Sequence, residues 1–532
     1  MASHSLFSKI FRASTIVAVA HLLLKFSGLI QARCATQFLG ADVYEPVMVI
    51  AFAGVLNTLF LIGQELIHPS FLSVFLQEKE ERGEQSAWNF ANTTLSVQTL
   101  LLIAVSASIA CFPDFYISLF TNWTRESHGA EYQLLRRSLQ VLSPALLFLS
   151  LGSTTYVILN GYKKFFLSAF GDASTKICII LGLLVGAGIY KMDYRALLLG
   201  IVVGSVAKVG THLVGLWGKL HYLRWRLDWK SPAFRAMLWL MLPLLAGVLF
   251  AKVRDNFNNI YILTHLKQSG VLMANDLGRR LYSSIQWLVP YSLQIALYPF
   301  LCEMVSKNDR ERLGEVLGKS CGILLMVFIP VAIILSILSQ PIAVLGFYGG
   351  KTGLEIAQWA GLSMCCYTMV LPASAVECVL MQGFFADRRM VAVTVIGIVC
   401  SSLSVLASWI FIVFVGVTPE QSLVVVALGF TLSRYLKSLI LTIYMNRKVP
   451  LVSKGIWTAS GKTAALAILT AGATYLAYAW CRGILPAVDA EGVSRGRLLL
   501  QLCAGCFAGL LVVLAGNLSA IRQWKQHFSR GR

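Results

Sequence analysis

A polytopic all-α membrane fold of about fourteen transmembrane helices is what this sequence predicts, and three observations predict it. Charged residues make up 13% of the 532 residues and hydrophobic ones 57%, where a soluble domain carries roughly 25% charged residues. Apolar runs long enough to cross a hydrocarbon core of about 30 Å, which takes roughly 20 helical residues, recur from near residue 13 to near residue 518. Lys and Arg gather in short clusters between those runs rather than along one face or in one tail.

Reading apolar runs against polar punctuation places helices near 13–38, 44–67, 88–112, 137–160, 165–190, 195–218, 233–264, 270–301, 313–345, 355–384, 388–416, 419–445, 460–482 and 496–518. The first run follows Lys9 and Arg12 as a signal peptide would. It nevertheless contains Lys25 and continues to about Leu39 without an Ala-x-Ala site, so it reads as an uncleaved first helix. Most of the twelve cysteines, Cys178, Cys321, Cys365, Cys366 and Cys400 among them, lie inside apolar runs, where Cys behaves as a small apolar residue.

An even number of spans puts both termini on one side. The loops on that side hold more than twice as many Lys and Arg as the opposite loops, with clusters at Lys163-Lys164, Lys219 to Lys230, Arg388-Arg389 and Arg447-Lys448. The positive-inside rule therefore places both ends in the cytoplasm. The same topology accounts for the net charge of +20 without a nucleic-acid partner. The long basic connections after the sixth and twelfth helices divide the chain into residues 1–230 and 231–450, two six-helix bundles, and 451–532, two additional helices with a basic tail. Transporters built from paired bundles place their substrate near the midplane.

Ionisable residues inside a bilayer cost roughly 2.5–3.5 kcal/mol each at helix centre, so they are functional candidates. Lys25 stands in the first helix, Glu65 near the end of the second, Lys208 and His212 in the sixth, and Glu377 in the tenth. The densest set is in the seventh and eighth helices, where Lys252, Arg254 and Asp255 are followed by Asp276, Arg279 and Arg280. Four cations and two acids in adjacent helices imply a wet cavity lining, and the excess of cations suits an anion such as a pyrophosphate, which a guanidinium grips through two oxygens. Salt neutralisation or snorkelling of individual residues is the plainer alternative. Gly182-x-x-x-Gly186 and Gly200-x-x-x-Gly204 permit close helix contact, and Pro290, Pro299, Pro330 and Pro372 can kink helices.

No P-loop, nucleophile elbow or zinc-protease motif is present. A transporter without cofactors is expected, with any uphill work drawn from a proton or monovalent cation gradient or from the membrane potential. Asp255, Asp276, Glu377 and His212 are the candidates for charge balance or ion coupling.

Two segments carry a family likeness. In the eighth helix Ser269-Gly270, Arg280-Leu281 and Pro299 follow one another as a small-Gly turn, an arginine followed by Leu, and a proline near the end of the run. Ile158-Leu159-Asn160 followed by Lys164-Phe165 and Ala169-Phe170 forms the second, with Gly40-Ala41 and Ile329-Pro330 in support. In these the chain resembles the MurJ (MviN) lipid II flippases of the multidrug/oligosaccharidyl-lipid/polysaccharide exporter superfamily, over nearly its whole length and including the two C-terminal helices. The departures are that the family's two first-helix arginines fall on Lys25 and Gln31, its second-helix arginine near Leu59, and its acid after the first helix on Glu45 or Pro46.

The resemblance implies an alternating-access flippase for lipid II, a polyprenyl-pyrophosphate-linked glycan. Lys25, Lys252, Arg254, Arg279 and Arg280 would hold the phosphates, and the last two helices would meet the polyprenyl tail among membrane lipids. Export of another polyprenyl-linked oligosaccharide is the alternative. A drug/cation antiporter would call for a net negative cavity, and a membrane scaffold would be indifferent to charge reversal at Arg280.

Overall fold

The computed structural model describes residues 26–286, 301–305, 307–387, 389–449, 451, 454–489 and 492–530. Twelve helices among these residues are long and apolar enough to cross a bilayer. They match twelve of the fourteen expected spans, and the first and eighth lie partly outside the described residues, as do Lys25, Arg388, Pro290 and Pro299. We number the helices α1 (26–38), α2 (Ala41–Arg82), α3 (Glu84–Cys111), α4 (Gly129–Gly161), α5 (Phe165–Ile189), α6 (Asp193–Gly215), α7 (Pro232–His265), α8 (Val271–Gln286), α9 (Arg310–Ile337), α10 (Leu354–Ala386), α11 (Met390–Val415), α12 (Pro419–Asn446), α13 (Lys454–Ile484) and α14 (Arg495–Arg530). Strand pairing in the described chain is confined to Val488–Asp489 against Gly492–Val493.

Several helix ends depart from expectation for local reasons. The ninth span stops at Ile337 and a short helix, Ser339–Phe347, replaces its last turns, because the ring of Pro341 cannot follow the carbonyl of residue 337 in one continuous helix. The tenth is broken at Met369-Val370, just before Pro372. The second runs fifteen residues beyond its expected end at 67, since Phe71, Val74 and Phe75 still give the chain a buried stripe before Glu78 to Arg82 supply a charged end. Within α2, residues Glu45–Leu56 form a π-helical stretch that begins at Pro46's missing N–H, a distortion that turns up disproportionately at functional sites.

The chain divides into two compact units. The first holds the residues up to Asp276 with Gly349–Gly353 and Ile412–Gly416, and the second holds the rest. The first unit packs Phe71, Phe75, Trp88, Phe90, Leu159 and Phe234 into one core. Its tightest joint is α5 on α6, where a Cβ at Gly200 would meet the Ile179 backbone at 3.0 Å and one at Gly204 the Thr175 carbonyl at 2.8 Å. The second of the paired glycine motifs thus sets how closely these helices approach. The second unit centres on Leu317, Phe328, Tyr367, Phe384, Leu441 and Met445. Large apolar side chains outside both cores, such as Trp239 and Leu242 on α7 or Phe507 and Leu511 on α14, are exposed, as lipid-facing positions of spanning helices are.

Candidate functional site

In the first unit α6 carries Lys208 and His212 one turn apart, and both are buried. The Lys208 ammonium pairs with Asp172 of α5 at 2.7 Å and lies 5.0 Å above the Phe60 ring of α2. His212 bonds through Nδ1 to the Thr155 hydroxyl of α4 at 2.8 Å and through Nε2 to the Ser168 carbonyl of α5 at 3.1 Å. Glycines make the room: a Cβ at Gly152 would meet the Lys208 side chain at 2.9 Å, and one at Gly171 would overlap the His212 ring. His68 of α2 stacks on Tyr156 with ring centroids 5.2 Å apart, and its Nε2 is buried without a hydrogen-bond partner. Lys176, one turn along from Asp172, adds a second cation to that carboxylate's surroundings and lies over Gly28 of α1.

The α7 charges of the first unit are paired locally. Lys252 donates to Glu65 of α2 at 2.5 Å, Arg254 holds Asp255 through Nη2 at 2.7 Å and Nε at 3.1 Å, and Asn256 bridges to Thr58 and the Gly54 carbonyl. The start of α8 is tied to α2 in two places. Glu45, 3% exposed, accepts the backbone N–H groups of Gly270 at 2.8 Å and Met273 at 3.0 Å, and the Tyr44 hydroxyl donates to Asp276 at 2.8 Å. A carboxylate at a helix N-terminus satisfies donors that have no partner within the helix and meets the positive end of its dipole. Glu45 is one of the two positions onto which the family's acid falls.

In the second unit Arg279 and Arg280 lie half-buried on α8. Glu377 of α10 is buried and held from α12: Arg434 Nη1 reaches its two oxygens at 2.8 and 2.9 Å, and Lys437 Nζ reaches Oε1 at 2.6 Å. An aromatic row leads from this group to α8, with Arg434 over Phe430 at 5.3 Å, Phe430 edge-on to Tyr367, and Tyr367 stacked on Tyr282. The buried Tyr282 hydroxyl makes no hydrogen bond of good geometry, although the Ser374 side chain lies beside it, and it sits in the field of both Arg434 and Arg279.

The second family-like segment closes one end of the first unit. Asn160 accepts from Ser168 at 2.8 Å, and Lys164 donates to the Gly215 carbonyl at the end of α6, also at 2.8 Å. Beside them the Tyr162 hydroxyl donates to Glu84 at 2.6 Å and accepts from Trp88 at 2.8 Å, while Lys219 pairs with Glu84 at 2.6 Å. Burial, then the neighbouring Glu84 carboxylate, holds the Tyr162 phenol above its ordinary pKa.

Of the residues named from sequence, Lys208 and His212 share one group, Lys252 with Glu65 and Arg254 with Asp255 form two pairs, and Glu377 stands in a third cluster. The reading from sequence missed Asp172, Lys176, Arg434 and Lys437. The signal for the α12 pair was present: two cations three apart share a helix face, and a buried Glu377 requires a counter-charge.

A family model described as "Lipid II flippase MurJ" matches residues 35–485. A probable lipid II flippase MurJ of Buchnera aphidicola subsp. Schizaphis graminum is 21% identical over 344 residues, 64% of this chain and 66% of its own length. The lipid II flippase MurJ of Burkholderia cenocepacia is 22% identical over 418 residues, 76% of this chain and 79% of its own. A solved structure of lipid II flippase MurJ in an inward closed conformation has the same fold, with a TM-score of 0.72 at 18% identity over 95% of this chain and 100% of its own.

Proposed function

This chain belongs to the lipid II flippase MurJ family, and on that premise we propose that it carries lipid II across the bacterial inner membrane from the cytoplasmic to the outer leaflet by alternating access. The observation that carries the reading is the family match across residues 35–485 joined to a helix, α8, that carries two adjacent half-buried arginines. The polyprenyl-pyrophosphate of the substrate supplies the anion for Arg279 and Arg280, with Lys25, Lys252 and Arg254 as further phosphate-binding cations. Guanidinium groups suit this task because their planar fork engages two phosphate oxygens at once. The tail remains in lipid, and the protein transports rather than catalyses, with both termini in the cytoplasm, a placement that the excess of Lys and Arg in the loops of that side supports.

Coupling to a proton or monovalent cation gradient or to the membrane potential falls to groups that can change charge inside the membrane. His212 is best supported, since it shares its surroundings with the Lys208–Asp172 pair. Asp255, Asp276 and Glu377 are alternatives, each contacted by a cation or a phenol.

The test is complementation of a bacterium depleted of its own lipid II flippase. Wild type should restore growth and clear accumulated lipid II, Arg280→Ala should fail at equal membrane abundance, and Arg280→Lys should recover part of the function. Normal growth with Arg280→Ala, or restoration of a surface polysaccharide but not of lipid II clearance, would sink the proposal.

A further inference from the structure

Two cations of α12 meet one carboxylate in the second unit, and the arithmetic of that cluster is uneven. Glu377 takes Arg434 on both oxygens and Lys437 on one. One contact to Glu377 engages one of the three donors of the Lys437 ammonium. Lys437 is 12% exposed and Arg434 28% exposed, so both can be approached from outside the core. Tyr282 brings a buried hydroxyl that makes no well-formed hydrogen bond, Ser374 beside it included, and a poorly met buried donor is costly. A net positive group at membrane depth is also costly. One additional anion would relieve both.

We infer that Arg434, Lys437 and Tyr282 form a second anion subsite of the second unit, taking a phosphate or carboxylate group of the transported headgroup beside Glu377. The inference rests on the proposed lipid II substrate, whose headgroup offers both kinds of anion. Lys437 has donors beyond the one that Glu377 takes, and a guanidinium beside an ammonium is a donor set suited to carboxylate or phosphate oxygens. Glu377 sets the charge of the subsite, leaving it one positive instead of two, and so limits how tightly the anion is held.

This assignment has a sign that a purely structural ion cluster lacks. Purified protein in nanodiscs is titrated at low ionic strength with inorganic pyrophosphate and, separately, with a short peptide ending in a free carboxylate. For the probe that reports the subsite, Arg434→Gln and Lys437→Gln should each weaken binding about tenfold, as loss of a charged hydrogen bond does. Tyr282→Phe should weaken it severalfold, Glu377→Gln should tighten it, and Lys307→Gln, an exposed residue far along the chain, should change nothing. Which of the two probes follows this pattern identifies the phosphate or the peptide as the source. Arg434→Lys retains the charge and keeps the test readable if the glutamine variant unfolds. The inference is overturned if both probes bind the Arg434 and Lys437 variants as they bind wild type, or if Glu377→Gln weakens both while thermal unfolding is unchanged. Lipid II flipping by wild type in proteoliposomes is measured in parallel; its absence removes the transport reading and leaves the binding result standing.

Discussion

Each unit places a cation of one helix against an acid from a neighbouring helix, yet the two clusters are built to different ratios. In the first unit Lys208 of α6 is in direct contact with Asp172 of α5, with His212 beside them and Lys176 farther off. In the second, Glu377 of α10 faces two cations of α12. The first arrangement depends on one direct contact, with Lys176 acting on the same acid only through its field. The second has redundancy, since either cation can neutralise the acid when the other is gone. The same placement of charge therefore yields a brittle pair in one unit and a tolerant, net-positive group in the other.

The sharpest way to break this contrast is Lys208→Met. It removes the contact partner of Asp172, a carboxylate that is 38% exposed, and should destabilise by about 1.5–3 kcal/mol, as loss of a charged hydrogen bond does. The double variant Lys208→Met with Asp172→Asn should recover most of the loss in thermal unfolding; equal losses in single and double variants would show that the pair is not the brittle element. Gly171→Ala, which drives a methyl group into the His212 ring, should cost about 1–3 kcal/mol by overpacking, and a silent Gly171→Ala would mean the imidazole has room to move. Arg434→Gln and Lys437→Gln should each cost less than Lys208→Met, about 1–2 kcal/mol, because the remaining cation still holds Glu377. Their combination should exceed the sum of the two, and strict additivity in a double-mutant cycle would remove the argument for redundancy. Smallest of all, Lys307→Ala deletes an i,i+4 pair with Glu303 that is open to solvent and should leave the unfolding temperature where it was.

The spans were legible because hydropathy over twenty residues is a strong signal, and the helix ends were less so because Pro341 and Pro372 act locally on runs that read as continuous. The π-helical stretch of Glu45–Leu56 left no trace in residue periodicity, since it changes which carbonyls are bonded without changing which side chains are apolar. Charge placement was half legible. Lys208, His212 and Glu377 stand out in apolar surroundings, whereas Asp172 hides among Gly171, Ala173, Ser174 and Thr175, and Arg434 and Lys437 resemble the basic end of an ordinary span. Partnership is the part a single chain of letters conceals: Lys252 with Glu65, and Tyr44 with Asp276, join residues about two hundred positions apart.

Glu45 carries a consequence for where a ligand can settle. The opening turn of a helix is a natural seat for an anion, and in α8 that seat already has a tenant, the carboxylate that takes the amide hydrogens of Gly270 and Met273. A phosphate arriving from outside finds that end of the helix closed and would have to displace Glu45 to settle there.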